Sequence, residues 1–394
     1  MKRVLPLIGA FIGLFLTAGC AQARQVAPVP PASTAAPVPP ARDYLFFVAS
    51  EGNDEIALVR FGPAGAAVVR THRIGTNPTE LKGPHGVAVA RDGRSYYVTT
   101  GHGMPNGALW RFSTENDEQT GYTELGRFPA TLQVAPAGHY IWVVNFNLYG
   151  GMVPSSVSVV YEDGMLEVKR ITTCVMPHGS RLSPDGKKHY SACMTSDMLI
   201  EIDADRLAVS RHFMLRKGSE HGMDGPPGSL DMRHGSGEHG AHPAATEADC
   251  SPTWAQPSAD GGTVWVACNK SNDLVEVDAG SWSLRRRIPA GEGIYNLATT
   301  RDGRLLVATN KRGQSVSVFE AASGAELARI PTTRRVPSGL VITSDDRYAV
   351  VTLEGVGSEP GTVDIIDLAA WTRVASVDVG QQAGGVDFWK TGTP

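Results

Sequence analysis

One short turn recurs along this chain at a near-constant interval, and it leaves little choice of architecture. Val89-Ala-Arg-Asp-Gly-Arg-Ser-Tyr-Tyr-Val98 is followed by Val134-Ala-Pro-Ala-Gly-His-Tyr-Ile-Trp-Val143. The pattern returns at Ser183-Pro-Asp-Gly, Ser258-Ala-Asp-Gly, Thr300-Arg-Asp-Gly and Thr343-Ser-Asp-Asp. An Asp-Gly pair accepts the positive φ of a tight hairpin, so each copy marks two antiparallel strands. From Gly93 through Gly138, Gly186, Gly261, Gly303 and Asp346 the steps are 45, 48, 75, 42 and 43 residues. The long step holds an insertion at about 217–249; without it the period is that of one four-stranded propeller blade.

Within each unit a small-residue inner strand precedes the turn and a β-branched, aromatic second strand follows it. The third strand alternates, as in Leu199-Ile-Glu-Ile-Asp203 and Leu274-Val-Glu-Val-Asp278, and an outer strand closes the blade. Six units are complete. Residues 44–75 lack an inner strand, and 384–389 (Gly-Gly-Val-Asp-Phe-Trp) supply an inner strand without partners. Joined, they make a seventh blade, which removes the exposed edge of the ring. The expectation is an all-β, seven-bladed β-propeller with four antiparallel strands per blade, its seventh blade closed by the N- and C-terminal strands. It occupies residues 43–390 as a single domain.

The first residues have a different character. Lys2 and Arg3 precede an apolar run from Val4 to Leu16 and then Thr17-Ala-Gly-Cys20, the layout of a signal peptide over 1–20. The cysteine sits as in a lipobox, so lipidation at Cys20 is expected, with cleavage without lipid as the alternative. Residues 21–42, rich in Pro and Ala, read as an extended tether. Together these place the domain in the periplasm or anchored to the outer membrane, touching the bilayer only through an N-terminal lipid. The net charge of −4 gives no support to nucleic-acid binding.

The repeat resembles that of the YVTN-type propeller proteins of the bacterial envelope, on Tyr97-Val-Thr-Thr100 and, more loosely, Trp142-Val-Val-Asn145 and Val307-Ala-Thr-Asn310. Similar propellers form the electron-receiving domain of nitrous-oxide reductase, the haem d1 domain of cytochrome cd1 nitrite reductase, and lactonases. The resemblance therefore implies a fold and leaves the function open.

Inner-strand starts and second-strand ends share one face of a propeller, its top, and unusual residues collect there. The starts carry His85, His178, Trp254, Tyr295 and Asn296; the ends carry His102, Met104, Asn145, Lys311, Arg312 and Glu354. His85, His102 and His178, with Met104 or Met176, compose a candidate metal or haem site. The alternative is a set of turns whose imidazoles bond nearby backbone. The insertion adds His221, Met223, Met232, His234, His239 and His242, a donor set suited to copper; the alternative is a polar loop. Cys174 with Cys193 and Cys250 with Cys268 repeat one arrangement, which in an exported protein reads as two intra-blade disulfides, other pairings of the four and thiolate metal ligation being the alternatives.

No nucleotide-binding loop, dinucleotide fingerprint or Cys-x-x-Cys-His haem-attachment sequence is present. The first expectation is a non-enzymatic module that takes a small ligand, a metal (copper favoured) or an envelope protein at its top face. The second is an oxidoreductase or electron-transfer component with copper or non-covalent haem at the channel mouth. The third is a lactonase-like hydrolase using a divalent ion in the channel, which would need carboxylates at the mouth; Glu51 and Glu354 are the candidates.

Overall fold

A computed structural model describes residues 39–75, 79–102, 106–228 and 248–392. Among them are seven antiparallel sheets, six of four strands and one of five. We number the blades I to VII from Pro84. The inner strands are Pro84–Val89, Pro129–Val134, Pro177–Leu182, Pro252–Pro257, Ile294–Thr299, Pro337–Ile342 and Ala383–Thr391. Blade VII joins Ala383–Thr391 to Tyr44–Ser50, so the two ends of the domain pair in one sheet.

The turn glycines Gly93, Gly138, Gly186, Gly261 and Gly303 have φ between 69° and 75°, which a side chain resists. Blade VI has Asp346 there instead, at φ 57°. Its carboxylate accepts the backbone N–H of Arg301 (2.8 Å) and Asp302 (3.1 Å) from the neighbouring turn.

The core is distributed over the joints between blades. Leu45, Phe47, Val87 and Tyr96 fill the joint between VII and I; Ala88, Tyr97, Leu132 and Ile141 fill that between I and II. Each fully buried large side chain of this kind contributes roughly 1.5–3 kcal/mol. Nearer the axis, threonine hydroxyls link the blades. Thr99 accepts from Gly86 N (2.9 Å) and donates to Ala130 O (2.6 Å) of the next blade. Thr352 does the same with Gly339 N and Gly384 O. Gly86 and Gly339 carry no Cβ because one would strike the neighbouring blade's carbonyl.

Both disulfides form, Cys174–Cys193 with Cα atoms 6.1 Å apart and Cys250–Cys268 at 4.5 Å. The intra-blade expectation holds only for the second. Cys174 lies on the outer strand Leu166–Val175 of blade II and Cys193 ends the second strand of blade III. Met176 alone separates that outer strand from the next inner strand, so the first bridge joins two blades. The insertion also differs from a plain loop at its start. His221–Asp224 add a fifth strand to the outer edge of blade III.

Candidate functional site

The top of the central channel is built where blade VII meets blade I. Ser50 ends the first strand of the chain, and a short 3-10 turn, Glu51–Asn53, turns the backbone over the channel mouth. Asp54, at φ 54°, ends that turn and accepts from the N–H groups of Lys82 and Gly83, both at 2.8 Å. Those contacts fix the segment that delivers His85. The Glu51 carboxylate therefore meets two imidazoles, His85 Nδ1 at 2.8 Å and His102 Nε2 at 2.6 Å. Burial opposes the charge on Glu51, but the hydrogen bonds and charges of His85 and His102 outweigh it and hold its pKa down to about 2. An ionised carboxylate only accepts, so both ring nitrogens facing it donate. His85 Nε2 has no protein partner among the described residues, and His85 lines the channel.

His178 sits opposite, its ring centroid 6.3 Å from that of His85 and edge-on to it. It is 3% exposed. Its Nδ1 lies 3.0 Å from Thr253 O, so Nδ1 carries the proton and this imidazole links blades III and IV. Nε2 then accepts from the Tyr295 hydroxyl at 3.0 Å. Burial, aided by His85, pushes the His178 pKa down to about 3, so the ring is neutral at physiological pH. Tyr295 in turn carries the Lys311 ammonium 3.9 Å from its ring centroid, and Lys311 pairs with Glu354 at 2.7 Å. Burial works against the ammonium, but Tyr295 and Glu354 raise its pKa.

Below this mouth the channel holds two chambers, a small upper one and a wider lower one. They share Val87, Leu132, Arg181, Leu340 and Val386, which form a waist. Arg181 is the one charged side chain of that ring. Its guanidinium lies 4.6 Å from the centroid of the Trp254 ring and donates to Ser180 O at 2.8 Å.

The structure sorts the residues expected from sequence. His85, His178, Trp254, Tyr295 and Asn296 line the upper chamber, and His102 reaches the mouth through Glu51. Asn145 is fully buried and spent on Gly126 N, Ser156 and Ser158. Arg312 bonds Asn269 and Asn272 at the surface. Met176 packs against the Phe128–Phe146 cluster. His221 and Met223 lie on the outer edge strand, against Met214 and His212. Cys20, Met104, Met232, His234, His239 and His242 lie outside the described residues. No three His, Cys, Asp or Glu side chains among the described residues form a metal-holding group.

Arg181 was not apparent from the sequence, and Glu51 only as a bare carboxylate. The inner strands align as Ala88, Gln133, Arg181, Gln256, Ala298, Val341 and Asp387 at one position. There Gln133 accepts from Leu182 N and Asp387 from Val89 N of the following blade. A guanidinium cannot accept, and that mismatch within the repeat was the available signal.

No family model and no curated protein sequence matches the chain. Solved structures do. A functionally unknown protein from Desulfotomaculum acetoxidans superposes with TM-score 0.63 at 13% identity, over 87% of this chain and 98% of its own. The hydrazine synthase of Kuenenia stuttgartiensis gives 0.59 at 20% identity, over 80% and 92%. A periplasmic gluconolactonase of Pseudomonas aeruginosa gives 0.61 at 19% identity, over 88% and 99%. At such identities the likeness is one of fold: the chain is a seven-bladed β-propeller.

Proposed function

We propose that the protein is a hydrolase of the bacterial envelope that opens a lactone or related ester at the channel mouth. The observation that carries this reading is the Glu51–His85 pair. A carboxylate that accepts from Nδ1 fixes the tautomer of the imidazole and leaves Nε2 as a base, the logic of carboxylate-backed histidines in hydrolysis. In the reaction, His85 Nε2 takes a proton from water as the oxygen attacks the acyl carbon. The tetrahedral intermediate then expels the ring oxygen, which receives that proton from the imidazolium, giving a hydroxy acid. Glu51 stabilises the imidazolium through its charge and does not change protonation state.

Support of a second kind comes from likeness, since one structural neighbour is a periplasmic gluconolactonase. The two disulfides suit an oxidising compartment. The test is titration of acid released from glucono-1,5-lactone and from simple aryl esters by the folded protein. Wild type should accelerate lactone opening over buffer, and His85→Ala should lower kcat by about 10²–10⁴, the usual range for a general base. A wild-type protein that hydrolyses none of these while binding gluconolactone would instead be a binding module.

A further inference from the structure

The waist of the channel contains an unspent cation. Arg181 has no carboxylate within ion-pair distance among the described residues. Its one hydrogen bond goes to the carbonyl of Ser180, the residue before it, and the face of its guanidinium rests on Trp254. Asp387 favours its charge only at longer range. Burial pulls its pKa down to about 10, so it remains protonated at neutral pH. Two further polar groups in the wall of the upper chamber lack partners. Trp254 Nε1 and Asn296 Oδ1 are buried, on residues 5% and 4% exposed, with no hydrogen-bond partner among the described residues. Buried polar groups are nearly always paired, so each unpaired one calls for an explanation.

These groups form a sequence along the channel axis. The Glu51–His85 pair stands at the mouth, Trp254 and Asn296 on the wall, and Arg181 at the bottom of the upper chamber. From this geometry we propose that the chamber binds a polyhydroxylated oxyanion end-on, its carboxylate or phosphate on Arg181 and its opposite end under His85. The inference rests on the hydrolase reading of the same site and names its substrate class, an anionic sugar-acid derivative. A guanidinium presents two parallel N–H groups to an oxyanion, and stacking on Trp254 holds its plane while one donor remains on Ser180. The indole N–H and the Asn296 oxygen are shielded from the empty chamber, so each reaches a substrate hydroxyl only after its side chain shifts. A neutral ligand would leave the buried charge uncompensated, so the site discriminates by charge.

Calorimetric titration with gluconate, 6-phosphogluconate and glucose tests this without any hydrolysis, because none of the three has a bond for the site to break. The full chain should bind at least one of the two anions tenfold or more tightly than glucose. Preference between them assigns Arg181 to carboxylate or to phosphate. Arg181→Gln should abolish the preference and Arg181→Lys should retain part of it, with circular dichroism confirming the fold of each. Equal affinity of wild type for glucose and both anions would overturn the proposal, as would undiminished preference in folded Arg181→Gln. Anion selectivity without lactone opening would leave the subsite standing and remove the hydrolase reading.

Discussion

His85 Nδ1 lies 2.8 Å from Glu51 Oε2, and the two residues come from neighbouring blades, Glu51 from blade VII and His85 from blade I. Glu51 follows the first strand of the chain, which pairs with the last; His85 begins the first complete blade. Closure of the ring bears on the site through the Glu51 turn, whose Glu51 and Gly52 N–H groups donate to Gln382 O and Gln381 O at the entry to the last strand. Weakening the seam should cost activity before it costs secondary structure.

Removing the Glu51 charge tests its two roles separately. Glu51→Gln keeps the shape but can no longer hold an imidazolium by charge. We expect kcat to fall by about 10²-fold or more, with KM little changed. The pKa of Glu51 in the fold, about 2, lies below its ordinary 4.5. Its stabilising contribution is therefore complete above pH 4.5 and is lost as pH falls towards 2. Urea midpoints at pH 7 and pH 3 should show the Glu51→Gln variant closer to wild type at the lower pH.

Two buried histidines set a second acid window. His178 and His189 both have pKa values near 3, lowered chiefly by burial, so the unfolded chain takes up protons below pH 6.5 that the fold refuses. Stability must fall from pH 6.5 downward. His189 stacks on Trp142 at 5.0 Å, and both its ring nitrogens lack partners among the described residues. His189→Phe should therefore stabilise, and at pH 5 by about 2 kcal/mol more than at pH 8. Denaturation curves at the two pH values check it.

Asp346 separates two readings of one residue. By turn preference alone Asp346→Gly should help, since φ is 57° there. The carboxylate, however, accepts two N–H groups of the adjacent blade's turn. Losing both should outweigh the gain and destabilise by about 1–2 kcal/mol. A rise in urea midpoint would show that the turn conformation dominates.

The disulfides offer a paired comparison. Each closes a short loop and should stabilise by roughly 3 kcal/mol. Replacing Cys174 and Cys193 by Ala also uncouples blade II from blade III beside His178, whereas replacing Cys250 and Cys268 acts within blade IV. Hydrogen exchange at the start of the Pro177–Leu182 strand should rise more in the first variant.

What the sequence revealed follows from where the information lies. The Asp-Gly turns are local, and their spacing counts blades directly, so seven blades and the shared seventh are legible in the sequence itself. The mouth residues His85, His178, Trp254 and Tyr295 were legible because inner-strand starts converge on the axis. Asn145 shares a blade end with His102 but turns inward to cap its own blade, which spacing alone does not distinguish. The partnership of Glu51 with His85 and His102 depends on the packing of blade VII against blade I and on the Asp54 turn. The inter-blade course of Cys174–Cys193 depends on an outer strand that runs almost without a break into the next blade. Neither is a local property of the chain.

The most direct measurement is kcat/KM for glucono-1,5-lactone, taken side by side for wild type, His85→Ala and Glu51→Gln at pH 7. The account predicts measurable catalysis by wild type and a fall of about 10²-fold or more in both variants. Wild-type activity indistinguishable from buffer, or variants as active as wild type, would contradict it.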